Sequence, residues 1–274
     1  MSQFEYLNRI SFGQYLPTGS IIHRLDPRSK ILGYIILILA LTLSKQIPGL
    51  LAAVILIMLL LLISKVPITY ALRGLLPPLP FIALLAILQL FITPHPSGDR
   101  LLFSFWILSV SATGLRFAII LLIRFTGLIL LLTLASVTLS TLEMIHGLDL
   151  LLKPLNKIGI RTDSAAMVVQ IMLRFIPFLA INAEKIAKSQ ASRGAEWDSS
   201  KGGVIRRARQ FLPLIIPLFS VSLQQADTLA NAMLARGYGS NANRTGLHEV
   251  RFTWMDLLFL ILSACAAWLI LFPL

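Results

Sequence analysis

From Ile31 to Leu139 the chain is a series of apolar runs broken by short polar or proline-rich stretches, and a last run closes it from about Thr253 to Phe272. In hydrocarbon every backbone amide must find its partner within the protein, so runs of this kind fold as helices. The fold class that follows is an all-α integral membrane protein. Composition agrees: 57% of the 274 residues are hydrophobic and 13% charged, with a mean hydropathy of +0.82, far more apolar than a soluble domain.

Residues 1–30 are polar and mixed, without the early apolar core of a signal peptide. Asp26 before Pro27 pairs an N-cap acid with a proline at the first helical position, which starts the first membrane helix close to Pro27. Ile31–Leu43 and Pro48–Ile63 are split by Ser44-Lys45-Gln46-Ile47 and read as a tight helical hairpin. Each is shorter than the roughly 20 residues of a perpendicular span. Arg28 and Lys30 at one end and Lys65 at the other are expected to snorkel and lengthen it.

The next run, from about Arg73 to Thr93, contains Pro77-Pro78-Leu79-Pro80. Three prolines in four residues forbid a straight helix, and the break reads equally as a loop end or as a deformable surface for a partner helix. After the turn-rich stretch Thr93–Arg100 come Leu101–Ile107 and a long apolar segment, Ala112–Leu139, carrying Arg116 and Arg124. Arginine at a helix centre costs roughly 2.5–3.5 kcal/mol on insertion scales. Arg124 is therefore expected to face other helices or an interface, and Arg116 to snorkel at a helix end.

Charge geography gives the orientation. Twenty lysines and arginines fall before Ile31, at Lys65 and Arg73, and from Thr141 to Arg251, whereas the alternate loops carry Lys45 and Arg100. About five spans with the N-terminus inside place the basic sections in the cytoplasm. The chain then divides into 1–140 (an interfacial segment and four spans), 141–252 (a cytoplasmic module of long coupling helices) and 253–274 (the last span). The net charge of +12 reflects this topology; no aromatic-interleaved basic patch points to nucleic acid. The single cysteine, Cys265, excludes a disulfide framework or cysteine-based metal site. His23, His95, His146 and His248 are scattered over different segments, so converging acid–base chemistry is not indicated. A stand-alone carrier or channel would line a path with polar groups, and Gln89 and Arg124 do not make one.

Within the basic module, Thr141–Leu155 reads as a short amphipathic helix begun by the threonine and ended at Pro154. From Ser164, Val168, Ile171, Met172, Phe175, Ile176 and Leu179 recur at helical spacing and are expected to pack against a second long helix, kinked by Pro213 and Pro217. The two helices end alike, in Ala191-Ser192-Arg193-Gly194 and Leu234-Ala235-Arg236-Gly237. Glycine past the last turn closes a helix in the left-handed conformation, and arginine in that turn offsets the dipole. One such end is ordinary capping. Two nearly identical ends suggest two plugs for two similar sockets.

The entry segment Gly13–Lys30 with His23-Arg24-Leu25-Asp26-Pro27-Arg28, the block Leu173-Arg174-Phe175-Ile176-Pro177 and the two Ala-Arg-Gly-type ends together resemble the transmembrane T component of energy-coupling factor (ECF) transporters, over nearly the whole chain. Ser192 departs from the alanine usual there. The resemblance implies a non-catalytic subunit of an ATP-driven importer of the ABC class, in the cell membrane. Its partners would be two ABC-type ATPase subunits and a membrane-embedded S component that captures a vitamin or a transition-metal ion. It also implies that Ser192, Arg193, Gly194, Ala235, Arg236 and Gly237 dock the ATPases. Consistently, the chain has no Gly-x-x-x-x-Gly-Lys-Ser/Thr phosphate loop; ATP and Mg would reside on the partners, with no cofactor held by this chain. Pro77, Pro78 and Pro80 are the candidate contact for the S component.

Overall fold

A computed structural model describes residues 18–92, 101–105, 108–158, 162–194, 204–239 and 252–272. Its helices are α1 (Pro27–Leu43), α2 (Ile47–Ile63), α3 (Ile68–Leu75), α4 (Leu79–Ile92), α5 (Ala112–Thr138), α6 (Thr141–Leu152), α7 (Thr162–Ser192), α8 (Val204–Ala235) and α9 (Trp254–Leu271). Short 3-10 segments lie at Ile22–Arg24 and Lys153–Ile158. One antiparallel hairpin, β1 (Leu101–Phe105) with β2 (Leu108–Ser111), joins α4 to α5. That hairpin is a feature the apolar run Leu101–Ile107 did not disclose.

The chain forms two compact units. Among the described residues, the larger holds those between Gly13 and Thr162 and between Val250 and Leu274, and the smaller those between Asp163 and Glu249. α6 thus groups with the membrane helices rather than with α7 and α8.

In the larger unit α1 packs on α9, α5 and α6, α2 packs on α5 and α9, and α3 and α4 lie against α5. Leu41, Leu50, Ile57, Leu61, Leu131 and Leu134 fill the centre. All five expected apolar segments are helical. By length and composition alone, α5, Ser164–Ser192 of α7 and α9 suffice to cross a membrane, and α3 with α4 make a fourth candidate bent by 55° at the prolines. α1 and α2, with 17 residues each, fall just short of that length. The break at Pro77–Pro80 is where proline chemistry places it; Pro77 and Pro80 are exposed and Pro78 half-buried.

Asp26 caps α1 as expected, its carboxylate accepting from the Arg28 amide at 2.9 Å with Pro27 at the first helical position. Lys30 does not snorkel. Its side chain is fully buried, and the ammonium donates to the carbonyls of His23 (2.8 Å) and Thr138 (3.3 Å) and to Glu143 (3.4 Å). Three donors meet three acceptors, which is what a buried lysine requires. Asp256, also buried, receives the Asp26 amide at 2.7 Å and the Thr253 amide at 2.7 Å, with the Ser29 hydroxyl 2.9 Å away. These bonds tie together the starts of α1, α6 and α9 and the end of α5.

α6 begins at a different cap from the one expected. Ser140, not Thr141, is the N-cap, in a capping box with Glu143. The helix lies close on α1 because a side chain at Gly147 would collide with Ile31 and Pro27. It runs into the 3-10 segment, where Asn156 Oδ1 accepts from both the amide (2.9 Å) and the hydroxyl (2.6 Å) of Thr162 at the start of α7. Arg124 is half-buried and donates to the carbonyl of Ser44, the C-cap of α1, so it satisfies a helix end as well as facing a neighbour. Arg116 is exposed.

Candidate functional site

The two arginine–glycine ends are built alike. At the end of α7, Gly194 has φ 88° and its amide donates to Ala191 O at 3.0 Å, while the Arg193 amide donates to Gln190 O at 3.1 Å. At the end of α8, Gly237 has φ 75° and donates to Leu234 O at 2.9 Å, with Tyr238 donating to Met233 O at 3.0 Å. The second end is a complete Schellman closure, and the first shows the same inner bond. Each arginine therefore occupies the same cap position, one residue before a left-handed glycine. Both arginines are exposed, as are Ser192, Gly194, Ala235 and Gly237. Ser192 turns its hydroxyl back onto Ser189 O at 2.8 Å, so it satisfies a last-turn carbonyl without changing the shape of the tip.

A cleft of about 370 Å³ lies between α7 and α8, lined by Arg174, Phe175 and Phe178 on one side and by Leu229, Met233 and Arg236 on the other. The apolar stripe of α7 is thus only partly matched by α8. Ile171 and Phe175 are half-buried, whereas Val168 and Met172 are exposed. The expected contact between the long helices is therefore partial: Ile171 and Phe175 line the cleft with α8, whereas Val168 and Met172 stay exposed. Pro213 and Pro217 lie inside the single helix α8.

Because Arg236 and Arg174 share that cleft, the tip of α8 lies beside the middle of α7. The remaining length of α7 to Arg193 separates the two tips by roughly 30 Å at 1.5 Å per residue. Arg174 is the residue that helical spacing alone did not assign: it stands in the Leu173–Pro177 block and adds a second guanidinium to the cleft. Elsewhere, Gln89, Arg124 and Lys45 come together in a cleft of about 460 Å³, a grouping that their separation in sequence hid. Arg124 there donates to the carbonyl of Ser44 at the end of α1, and the rest of the lining comes from Phe117, Ile120, Leu121 and Phe125 of α5. Among the described residues no cluster of three or more His, Cys, Asp or Glu side chains is arranged to hold a metal ion. His95 and His248 lie outside the described residues.

A family profile described as CbiQ, cobalt transport protein, matches residues 18–247. An energy-coupling factor transporter transmembrane protein EcfT from Clostridium kluyveri is 38% identical, over 94% of this chain and 93% of its own. The protein of the same name from Brevibacillus brevis is 37% identical over 94% and 95%, and that from Lactococcus lactis subsp. cremoris 32% over 93% and 94%. With motif order, helical membrane fold and near full-length similarity in agreement, the chain belongs to the family of CbiQ and EcfT transmembrane transport components of energy-coupling factor transporters.

Proposed function

We propose that this chain is the coupling subunit of an ATP-driven importer, transmitting movement from two ABC-type ATPase subunits to a membrane-embedded S component that captures a vitamin or a metal ion. The observation that carries the reading is the pair of matching caps, each presenting an exposed arginine from a rigid, closed helix end. Guanidinium suits this role because it stays charged and offers a fixed fork of donors to carboxylates or carbonyls in a groove. A separation of roughly 30 Å suits two sockets on two subunits better than one shared socket. In this reading the N-terminus and both tips are cytoplasmic. α7, none of whose apolar window is buried, lies along the membrane surface and does not cross it. The exposed prolines at the α3–α4 bend supply part of the contact with the S component.

The test is charge reversal at the tips in the assembled transporter. Arg193→Glu and Arg236→Glu are each expected to weaken ATPase association by about 2 kcal/mol or more, roughly thirtyfold. The double variant should lose both ATPase co-purification and uptake into proteoliposomes, while its melting temperature in detergent stays that of the parent. Normal co-purification and uptake by the double variant would overturn the assignment.

A further inference from the structure

A second surface of the larger unit carries chemistry unrelated to the tips. A groove of about 680 Å³ opens between the segment before α1, the last turns of α2 and the first turns of α9, a volume within the roughly 300–1,000 Å³ of small-molecule sites. Every lining side chain is apolar, among them Ile21, Leu25, Ile63, Leu258 and Leu262, with Trp254 at the mouth. Trp254 is 84% exposed, and an exposed tryptophan at the start of a membrane helix marks the depth of the lipid headgroups.

Two exposed cations are close sequence neighbours of residues that line this groove. Arg24 stands between lining residues Ile22 and Leu25, and Lys65 follows two residues after Ile63; both are exposed. The two segments are held together, since the Thr18 hydroxyl donates to Ser64 O at 2.7 Å. Neither cation has an ion-pair partner among the described residues. Lys65 is also the one described non-glycine residue at positive φ, 54°. It closes α2 with its amide on Leu62 O at 3.0 Å and that of Val66 on Leu61 O at 3.2 Å, the position where glycine is favoured. A strained lysine where glycine would fit indicates that the side chain is used.

We propose that this groove is a binding site for one anionic phospholipid, the acyl chain lying along Leu25, Ile63, Leu258 and Leu262 and the phosphate headgroup held by Arg24 and Lys65. The charge of Arg24 and Lys65 selects the occupant: a zwitterionic lipid leaves the two cations without net compensation, and inorganic phosphate supplies nothing for the apolar floor. The site does not depend on the tips having the docking role given above.

The experiment uses the full chain with Trp254 as its remaining tryptophan (W106F, W197F, W268F), reconstituted into phosphatidylcholine vesicles with or without phosphatidylglycerol carrying brominated acyl chains. Brominated phosphatidylglycerol is expected to quench Trp254 far more than brominated phosphatidylcholine, and added inorganic phosphate is expected not to reverse it. Arg24→Gln and Lys65→Gln should each weaken the preference about fivefold, at roughly one surface charge's contribution apiece. Lys65→Gly is the discriminating variant: it relieves the backbone and keeps or raises the melting temperature, yet loses the lipid preference as Lys65→Gln does. Equal quenching by both lipids, an unchanged preference in Lys65→Gly, or quenching abolished by a co-assembled membrane partner while lipid still surrounds the complex would overturn the proposal; the last outcome would assign the groove to protein.

Discussion

Lys30→Met is expected to destabilise the membrane unit by about 3 kcal/mol, at the lower end of what breaking a buried ion pair costs. The ammonium is fully enclosed and spends all three of its protons on His23 O, Thr138 O and Glu143. Methionine keeps most of the apolar stem but leaves two buried carbonyls and a carboxylate without that donor. Glu143, with 34% of its side chain exposed, can turn to water, so Glu143→Gln should cost less, about 1 kcal/mol. The double variant Lys30→Met/Glu143→Gln should then lose less than the sum of the two, which a double-mutant cycle of detergent melting curves would read. Melting of Lys30→Met at the parent temperature would show that the lysine is not the tie described.

Gly49→Leu is expected to be at least as damaging, for a steric reason. A β-carbon at this position would run into the carbonyl oxygen of Ile270, a backbone atom of α9 that cannot rotate away. The Ser44 hydroxyl already donates to that carbonyl at 3.1 Å, so α2, the end of α1 and α9 meet at one point. Overpacking at such a contact costs typically about 1–3 kcal/mol, and collision with main chain places leucine at or above the top of that range. The check is recovery of monodisperse chain from detergent, with Gly194→Leu as comparison. At Gly194 nothing lies within 4 Å of an added β-carbon, so the strain of φ 88° is the only penalty, about 1 kcal/mol. If Gly49→Leu were recovered as well as Gly194→Leu, the close approach would not be limiting.

What the sequence disclosed and what it hid divide along the range of the interactions. The start of α1 at Asp26-Pro27, the bend at Pro77–Pro80 and both arginine–glycine ends were readable because each is decided by neighbouring residues: a cap, a missing amide, a left-handed glycine. Lys30 and Asp256 were not. The partners of Lys30 include Glu143, 113 positions away, and Asp256 receives an amide 230 positions away, so neither the charge nor its sequence neighbours betray the burial. A lysine near the end of an apolar run has the same local signature whether it reaches for water or turns inward. Ser140 and Thr141 are both competent caps, and only the geometry with Glu143 chooses between them. At the candidate site the caps were legible and Arg174 was not, because its place beside Arg236 depends on how α8 lies along α7.

The Schellman closure that ends α8 has a rotational consequence. Since Arg236 is itself the capping residue, its guanidinium has no flexible stalk beyond its own side chain, and its compass bearing is fixed by the winding of the helix behind it. One residue added or removed within α8 would swing that bearing by about 100° while shifting the tip only about 1.5 Å. Grip on a partner is therefore tuned by the number of residues in the arm, and a single-codon insertion far from the arginine could release it with every contacting side chain still present.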